Sequence, residues 1–308
     1  WYLRLSERRR VRLSHPRYYR SVVSRLSKLV RDQEPDVILC FFACEAEFIA
    51  PFGGVKRIVD ACDSRTLALQ RYMGQETIKP FSRRLAYVLY LARVKSMEKR
   101  LAKEFDLVTT VSPADRDRMA ALSPRHANRI AVAPNGVAPE LLSDREPPAE
   151  LIPNSIIFWG NMGFPPNRSA ALFFFRDVYM PFLAEQGVVW YIAGGGVDEE
   201  ILCLGRKHRN IVVTGFVDDL FSLAARIQVM INPMVMGSGL KNKVLEAFAL
   251  KMAVVSTSLG IEAIQGAQDG IHCRVADDPE DFAQAVQGCL GLSKIATPGT
   301  RSVMIGAG

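Results

Sequence analysis

The chain has 308 residues, 49% of them hydrophobic and 23% charged, the composition of a globular protein long enough for two domains of ordinary size. No run of 18 uncharged apolar residues is present and the opening ten residues lack the apolar core of a signal peptide, which argues against a membrane-spanning helix and a secretory leader. The net charge of +7 is unevenly placed: residues 1–130 carry 26 Lys+Arg against 14 Asp+Glu and residues 131–308 carry 13 against 18, so the first half is suited to an anionic partner such as a membrane surface or a phosphate-bearing acceptor.

In chain order, Arg8 to Arg31 sets Tyr18, Val22, Val23, Leu26 and Val30 at helical spacing among basic residues. This predicts a basic amphipathic helix, either lying on anionic lipid or forming the outer helix of a Rossmann-like domain. Pro35 to Phe42 reads as a buried strand, bracketed by the core candidates Cys40 and Cys44, and Val55 to Asp60 as a second strand. At the end of the second strand, Asp60 and Asp63 either orient acceptor hydroxyls or cap a helix running from Ser64 to Met73. Phe81 to Glu104 predicts a long basic helix with Leu85, Val88, Leu89, Ala92 and Met97 on its apolar side. A strand follows at Leu107 to Val111. Ser112-Pro-Ala-Asp115 then reads as a helix start, with Ser as cap, Pro in the first position and an acid in the first turn. After a strand at Ile130 to Ala133, Pro134-Asn-Gly136 marks a turn. These signals set a first domain at 1–136, a linker rich in proline and acids at 137–153, and a second domain at 154–308.

The second half alternates strands (155–159, 188–193, 211–214, 229–232, 254–256, 271–275) with helices (167–182, 198–207, 218–226, 239–250, 260–265, 279–290). That alternation implies a parallel sheet with crossover helices. Turns with glycine follow the strands: Gly160-Asn-Met-Gly163, Gly194-Gly-Gly196, Gly215-Phe-Val217 and Gly237-Ser-Gly239. None has the Gly-x-Gly-x-x-Gly spacing of a dinucleotide fingerprint. Six cysteines, at 40, 44, 62, 203, 273 and 289, contain no Cys-x-x-Cys pair and are read as reduced thiols of a cytoplasmic protein. No Asp-x-Asp pair calls for a divalent metal, and no motif calls for nucleic acid.

The richest stretch is Gly237-Ser-Gly-Leu-Lys-Asn-Lys-Val-Leu-Glu-Ala247. Gly237 and Gly239 permit close approach of a ligand and Ser238 can cap. The N–H groups near Leu240 to Asn242 favour an anion, beside Lys241 and Lys243. On a helical wheel Leu240, Val244, Ala247 and Phe248 share an apolar face, while Gly239, Asn242, Lys243 and Glu246 lie on another. Glu246 therefore reads either as a group for the ribose hydroxyls of a nucleotide whose diphosphate sits at the turn, or as an ordinary surface glutamate beside Lys243.

The ordered set of Val111-Ser-Pro113, Pro134-Asn-Gly-Val137, Phe158-Trp-Gly160, Ile192-Ala-Gly194, Val213-Thr-Gly-Phe-Val217, the stretch above and Ala253-Val-Val255 resembles glycosyltransferase family 4, retaining enzymes of the GT-B architecture, and within it the exopolysaccharide-type sugar transferases. The resemblance implies an α/β fold of two Rossmann-like domains facing a cleft, the first incomplete because the family's opening strand and glycine loop have no counterpart before Arg8. It implies transfer of a sugar from a UDP- or GDP-sugar to a saccharide or lipid-linked acceptor, with retention and without metal or other cofactor. The donor would be held by Asn161, by Glu246 at the ribose, by Phe216 and Val217 at the base, and by Gly237, Ser238, Gly239, Leu240, Lys241 and Asn242 at the diphosphate. Lys241, Lys243 and Glu246 would be the catalytic residues, the two lysines acting on the leaving group. Many members carry a glutamate where Ser238 stands, and an arginine and a lysine after Gly160, where this chain has Asn161. Lys241, Lys243 or Arg168 is therefore expected to supply the missing positive charge. The closing helix of the family is also not visible in Thr297 to Gly308. A nucleotide-sugar epimerase and a non-catalytic nucleotide-sugar-binding remnant are the rival readings.

Overall fold

The computed structural model describes residues 11–75, 81–143 and 150–291. The chain divides into two compact units, Trp1–Asn135 with Gly237–Leu240, and Gly136–Met236 with Lys241–Gly308. Within the segment expected to be a linker, residues 144–149 lie outside the described residues, as do Arg8 to Arg10 of the basic helix and the stretch from Thr297 onward.

The first unit is built on a four-stranded parallel sheet of order β1-β2-β3-β4: β1 Val37–Phe41, β2 Lys56–Cys62, β3 Leu107–Thr110 and β4 Ile130–Val132. Val59, Val108, Leu101, Phe105 and Met119 form its core. The start of α5 (Pro113–Leu122) follows the sequence: Ser112 accepts the N–H of Asp115 at 3.1 Å and Pro113 takes the first turn. Two expectations are corrected. β1 lies at the sheet edge, with Val37, Leu39, Phe41 and the following Phe42 exposed, so it is half-covered and not the buried strand its composition suggests. In α4 (Phe81–Glu104) the inward face is Leu101, Glu98, Val94, Tyr90 and Tyr87, while Leu85, Val88 and Leu89 face outward. The tyrosines pack on α3 (Arg65–Gln75), with Tyr87 5.3 Å from Tyr72, and these large rings outcompete leucines for the interior.

After the single turn α1 (Val11–Ser14), helix α2 (Pro16–Gln33) is amphipathic as its spacing indicates, yet none of its residues is fully buried. Val22, Val23, Leu26 and Val30 are partly covered and Tyr18 is exposed, with Tyr19 stacked at 5.7 Å on Phe48.

The second unit has a six-stranded parallel sheet of order β10-β9-β8-β5-β6-β7. Its strands are β5 Ile152–Trp159, β6 Val189–Ala193, β7 Ile211–Gly215, β8 Ile227–Asn232, β9 Ala253–Ser256 and β10 Arg274–Val275. The central β5 is buried on both faces, as expected for a parallel strand with helices on each side. Ile156 and Phe158 pack with Phe174, Trp190 and Phe282 on one face, and Ile157 and Trp159 pack with Met230, Val244 and Ala247 on the other.

The helices are α6 (Pro165–Phe173), α7 (Glu199–Lys207), α8 (Leu220–Ala225), α9 (Asn242–Ala249), the short α10 (Ser258–Ile261) and α11 (Pro279–Leu290). Asp198, Asp219 and Asp278 cap α7, α8 and α11. The helix expected over 167–182 instead leaves α6 for a wider turn at Phe174–Leu183, where Pro181 lacks an N–H and crowds the preceding turn. The last strand is two residues long, shorter than expected, and Ile271 is exposed.

Candidate functional site

Strand order in the second unit reverses between β5 and β8, since β5, β6 and β7 run outward one way and β8, β9 and β10 the other. In open α/β sheets the crevice beyond the carboxyl ends of such strands is where ligands bind. Here that edge is a set of glycine turns stitched by backbone hydrogen bonds. The N–H of Gly160 donates to Ala193 O at 3.0 Å, that of Met162 to Gly195 O at 2.8 Å, and that of Gly194 to Gly215 O at 2.7 Å. Gly194, at φ +124°, passes so close that a Cβ there would lie 2.1 Å from Gly160 O. Asn161 closes its own turn by accepting the Gly163 N–H at 2.9 Å.

Helix α9 follows β8 and brings two charged side chains to this edge. Glu246 Oε2 accepts the indole N–H of Trp159 at 2.9 Å, so the carboxylate faces the end of β5, away from the core positions Val244 and Ala247. Lys243 donates from Nζ to Asn167 Oδ1 at 2.7 Å and lies 4.2 Å from the centre of the Phe158 ring. Asn167, at the start of α6, is oriented by its own donation to Asn161 O at 3.0 Å. Lys243 is partly covered as a residue, and burial around its amine holds its pKa down to about 7, with Lys241 acting in the same direction and Glu246 opposing. Gly160, at φ +148°, leaves room for this arrangement: a Cβ there would meet Asn167 Nδ2 at 2.7 Å and Lys243 Nζ at 3.1 Å.

Phe216 projects from the turn after Gly215 with 77% of its surface exposed, while Val217 beside it is partly covered. The arrangement provides a cation, a carboxylate and an accessible aromatic at the ends of neighbouring parallel strands.

The stretch before α9 departs from expectation. The helix starts at Asn242 with Lys241 in the capping position, so it begins three residues later than Gly239. Ser238 does not cap it. Gly237–Leu240 belong to the first unit, where Ser238 Oγ donates to Asp63 Oδ2 at 3.1 Å and to Ser64 O at 3.3 Å. The N–H of Gly239 donates to Asp115 Oδ2 at 3.1 Å, and Gly237 O accepts from Arg71 at 3.0 Å. Asp115 is fully buried and also accepts from the Ser64 N–H at 2.9 Å and from Ser112 Oγ. The acidic pair is thus not a helix cap: Ser64 caps α3 by accepting the Leu67 N–H at 3.2 Å. Asp60 accepts from the Cys62 N–H and from Thr109 Oγ1, closing a turn in which Cys62 takes a left-handed conformation.

Arg168, proposed from sequence as a spare cation, is committed to Asp198 and Glu200, while Lys243 and the buried Lys241 lie at the start of α9. The four histidines serve local structure: His15 meets Ser14 Oγ, His126 meets Ser123 Oγ, His208 lies edge-on to Phe175, and His272 accepts from the Gln268 N–H. The six cysteines are free thiols, and among the described residues no cluster of His, Cys, Asp and Glu is arranged to hold a metal ion. Sequence reasoning missed Trp159, Asn167 and Asp115. Only Trp159 left a signal, as an aromatic with an N–H directly before the glycine that ends a central strand.

Residues 1–141 match the profile of the family described as Glycosyltransferase Family 4, and residues 153–291 that of Glycosyl transferases group 1. An uncharacterized 44.6 kDa protein of the cps region of Klebsiella pneumoniae is 28% identical over 154 residues, 46% of this chain and 39% of that protein. A variant of S. aureus TarM in complex with Fondaparinux, alpha-GlcNAc-glycerol and UDP superposes with a TM-score of 0.63 at 13% identity, over 88% of this chain and 51% of TarM. Anabaena HepE in complex with UDP and glucose gives 0.61 at 14% identity, over 86% of this chain and 71% of HepE. Sucrose-phosphate synthase from Thermosynechococcus elongatus gives 0.62 at 12% identity, over 90% and 70%. The chain therefore spans about half the length of TarM and 39% of the Klebsiella relative, and the likeness to the solved structures is one of fold.

Proposed function

Because the chain belongs to the glycosyltransferases of the GT-B fold, with family 4 and group 1 segments in succession, we propose that it transfers a sugar from a nucleoside-diphosphate sugar to a saccharide or lipid-linked acceptor, of the kind used in exopolysaccharide synthesis. The observation that carries this reading is the placement of Glu246 and Lys243 together at the strand-order reversal of the second unit. UDP is the nucleotide present in the TarM and HepE structures, which favours a UDP-sugar here.

In this reading the Glu246 carboxylate accepts the ribose hydroxyls, held toward them by Trp159, and Phe216 lies against the base. Lys243, Lys241 and the first turn of α9 face the diphosphate, where positive charge and helix dipole stabilise negative charge building on the leaving oxygen. The bond from the anomeric carbon to phosphate breaks, a bond to the acceptor oxygen forms, and the acceptor proton passes to the departing phosphate. We assign retention and metal independence to this step, with the charge neutralisation a metal would supply falling to Lys241 and Lys243. Asp60 and Asp63 remain acceptor-side candidates, and Gly237, Ser238 and Gly239 bind donor only where their present partners release them.

Peripheral contact with an anionic membrane fits the outward stripe Leu85, Val88 and Leu89 of α4, which is flanked by exposed Arg84, Arg93, Lys99 and Lys103. No helix among the described residues is long and apolar enough to cross a membrane.

The deciding experiment is calorimetric titration of UDP into the protein and into Glu246→Ala. Loss of a hydrogen-bonded charged acceptor predicts a weakening of about 1–3 kcal/mol, with thermal melts to verify folding. Equal affinity in the folded variant would remove Glu246 from the site.

A further inference from the structure

Lys243 has no ion-pair partner among the described residues. Among the described residues no carboxylate pairs with it, its neighbours Phe158 and Asn167 are uncharged, and its one hydrogen bond goes to an amide oxygen. The charged groups around it are accounted for in turn. Glu246 on the same helix accepts from Trp159 and attracts the amine without pairing with it, Lys241 repels, and Arg168 beside Asn167 is bound to Asp198 and Glu200. The turns after β5 and β6 contribute Gly160, Asn161, Gly194, Gly195 and Gly196, none of them ionisable.

An enclosed amine with no carboxylate paired to it avoids the cost of an uncompensated charge by shedding its proton, and an anion arriving beside it reverses that balance. Gly160 supports the same view. Its missing side chain is what lets Nζ and the Asn167 amide sit together, so the pocket around the amine is built rather than incidental.

We propose that Lys243 takes up a proton when the donor diphosphate arrives, so that nucleotide capture and proton uptake are a single event. The proposal rests on the donor site described above and deepens it. The proton balance is simple: Lys243 Nζ gains one proton from solvent on binding and returns it when the diphosphate leaves.

The sign follows from linkage. The free amine, held near a pKa of about 7, is mostly neutral at pH 8, whereas the diphosphate beside it raises its pKa in the complex. Affinity is then full below pH 7 and falls by up to about tenfold per pH unit above it, until the pKa of the complex is passed. UDP itself is largely ionised through this window, because its last phosphate titration lies near pH 6.

The test is titration of UDP at pH 7, 8 and 9 in two buffers of different ionisation enthalpy, HEPES and Tris. The expected result at pH 8 is uptake of close to one proton per UDP bound, with affinity several-fold lower than at pH 7. Lys243→Met should bind more weakly and without proton exchange. Asn167→Asp gives the amine a permanent counter-ion, so it should bind UDP with proton uptake abolished. Binding by the wild-type protein with no proton uptake overturns the proposal while leaving the donor site standing. Uptake that persists in Lys243→Met overturns the assignment to this residue. Should Lys243→Met fail to fold, the two-buffer measurement on the wild type together with Asn167→Asp still decides. Absence of UDP binding in the wild-type protein would overturn the donor site itself and this inference with it.

Discussion

At Trp159 a single hydrogen bond separates an ordinary helical glutamate from an aimed one. The indole N–H fixes one oxygen of Glu246, and in the donor site proposed above the other is the one that meets the ligand. Trp159→Phe keeps an aromatic ring in the core but removes that donor, so the carboxylate regains rotational freedom. UDP affinity should fall by about 1 kcal/mol, roughly fivefold, when measured by calorimetry. An unchanged affinity would mean that the bond is incidental. Asn167 acts in the same way on Lys243, and both partners come from parts of the chain more than seventy residues distant, at |i−j| of 87 and 76. Trp159 left only the signal of an aromatic before a strand-ending glycine and Asn167 left none, because a side chain's hydrogen-bond partner is set by the packing of elements and not by local spacing.

Among the elements, the glycine turns of the second unit depend on atoms that pass too close for any side chain. Gly194→Ala would place a methyl group on the Gly160 carbonyl at a positive φ. A loss of about 2–4 kcal/mol in urea unfolding is expected, and a fully stable variant would show that the turns can separate. Helix α4 teaches a different lesson. Its sequence offers two apolar faces, Leu85-Val88-Leu89 and Tyr87-Tyr90-Val94, and periodicity alone cannot rank them. The structure buries the second against Leu69 and Tyr72 and leaves the first outward. If that outward stripe meets lipid, changing Leu85 and Leu89 together to Ser should reduce sedimentation with vesicles containing anionic phospholipid by at least about tenfold, without lowering the melting temperature. Equal sedimentation would place membrane contact elsewhere or nowhere.

For the whole molecule, each unit has its own core, and two of the three tryptophans, Trp159 and Trp190, lie in the second. Phe174 is fully buried there, 4.9 Å from Trp190 and 5.8 Å from Phe282. Phe174→Ala should cost about 3–5 kcal/mol of the second unit's stability. The denaturant midpoint followed by tryptophan fluorescence should fall accordingly, while the unfolding of the first unit keeps its own midpoint. Coincident shifts in both would show that the two cores melt as one.

Strand and helix alternation, the Ser112 start of α5 and the ordered glycine turns were all written in the sequence. They depend on φ/ψ preference, on period and on groups a few residues apart. What required the tertiary structure was every relation between distant elements: the edge position of β1, the inward face of α4, the capture of Gly239 by Asp115, the commitment of Arg168 to two acids, and the seating of Lys243 on Phe158. A residue's neighbours along the chain determine its backbone, but its dielectric surroundings and its partners are fixed only when sheets and helices close around it, and those surroundings decide whether a lysine is a surface charge or an amine waiting for an anion.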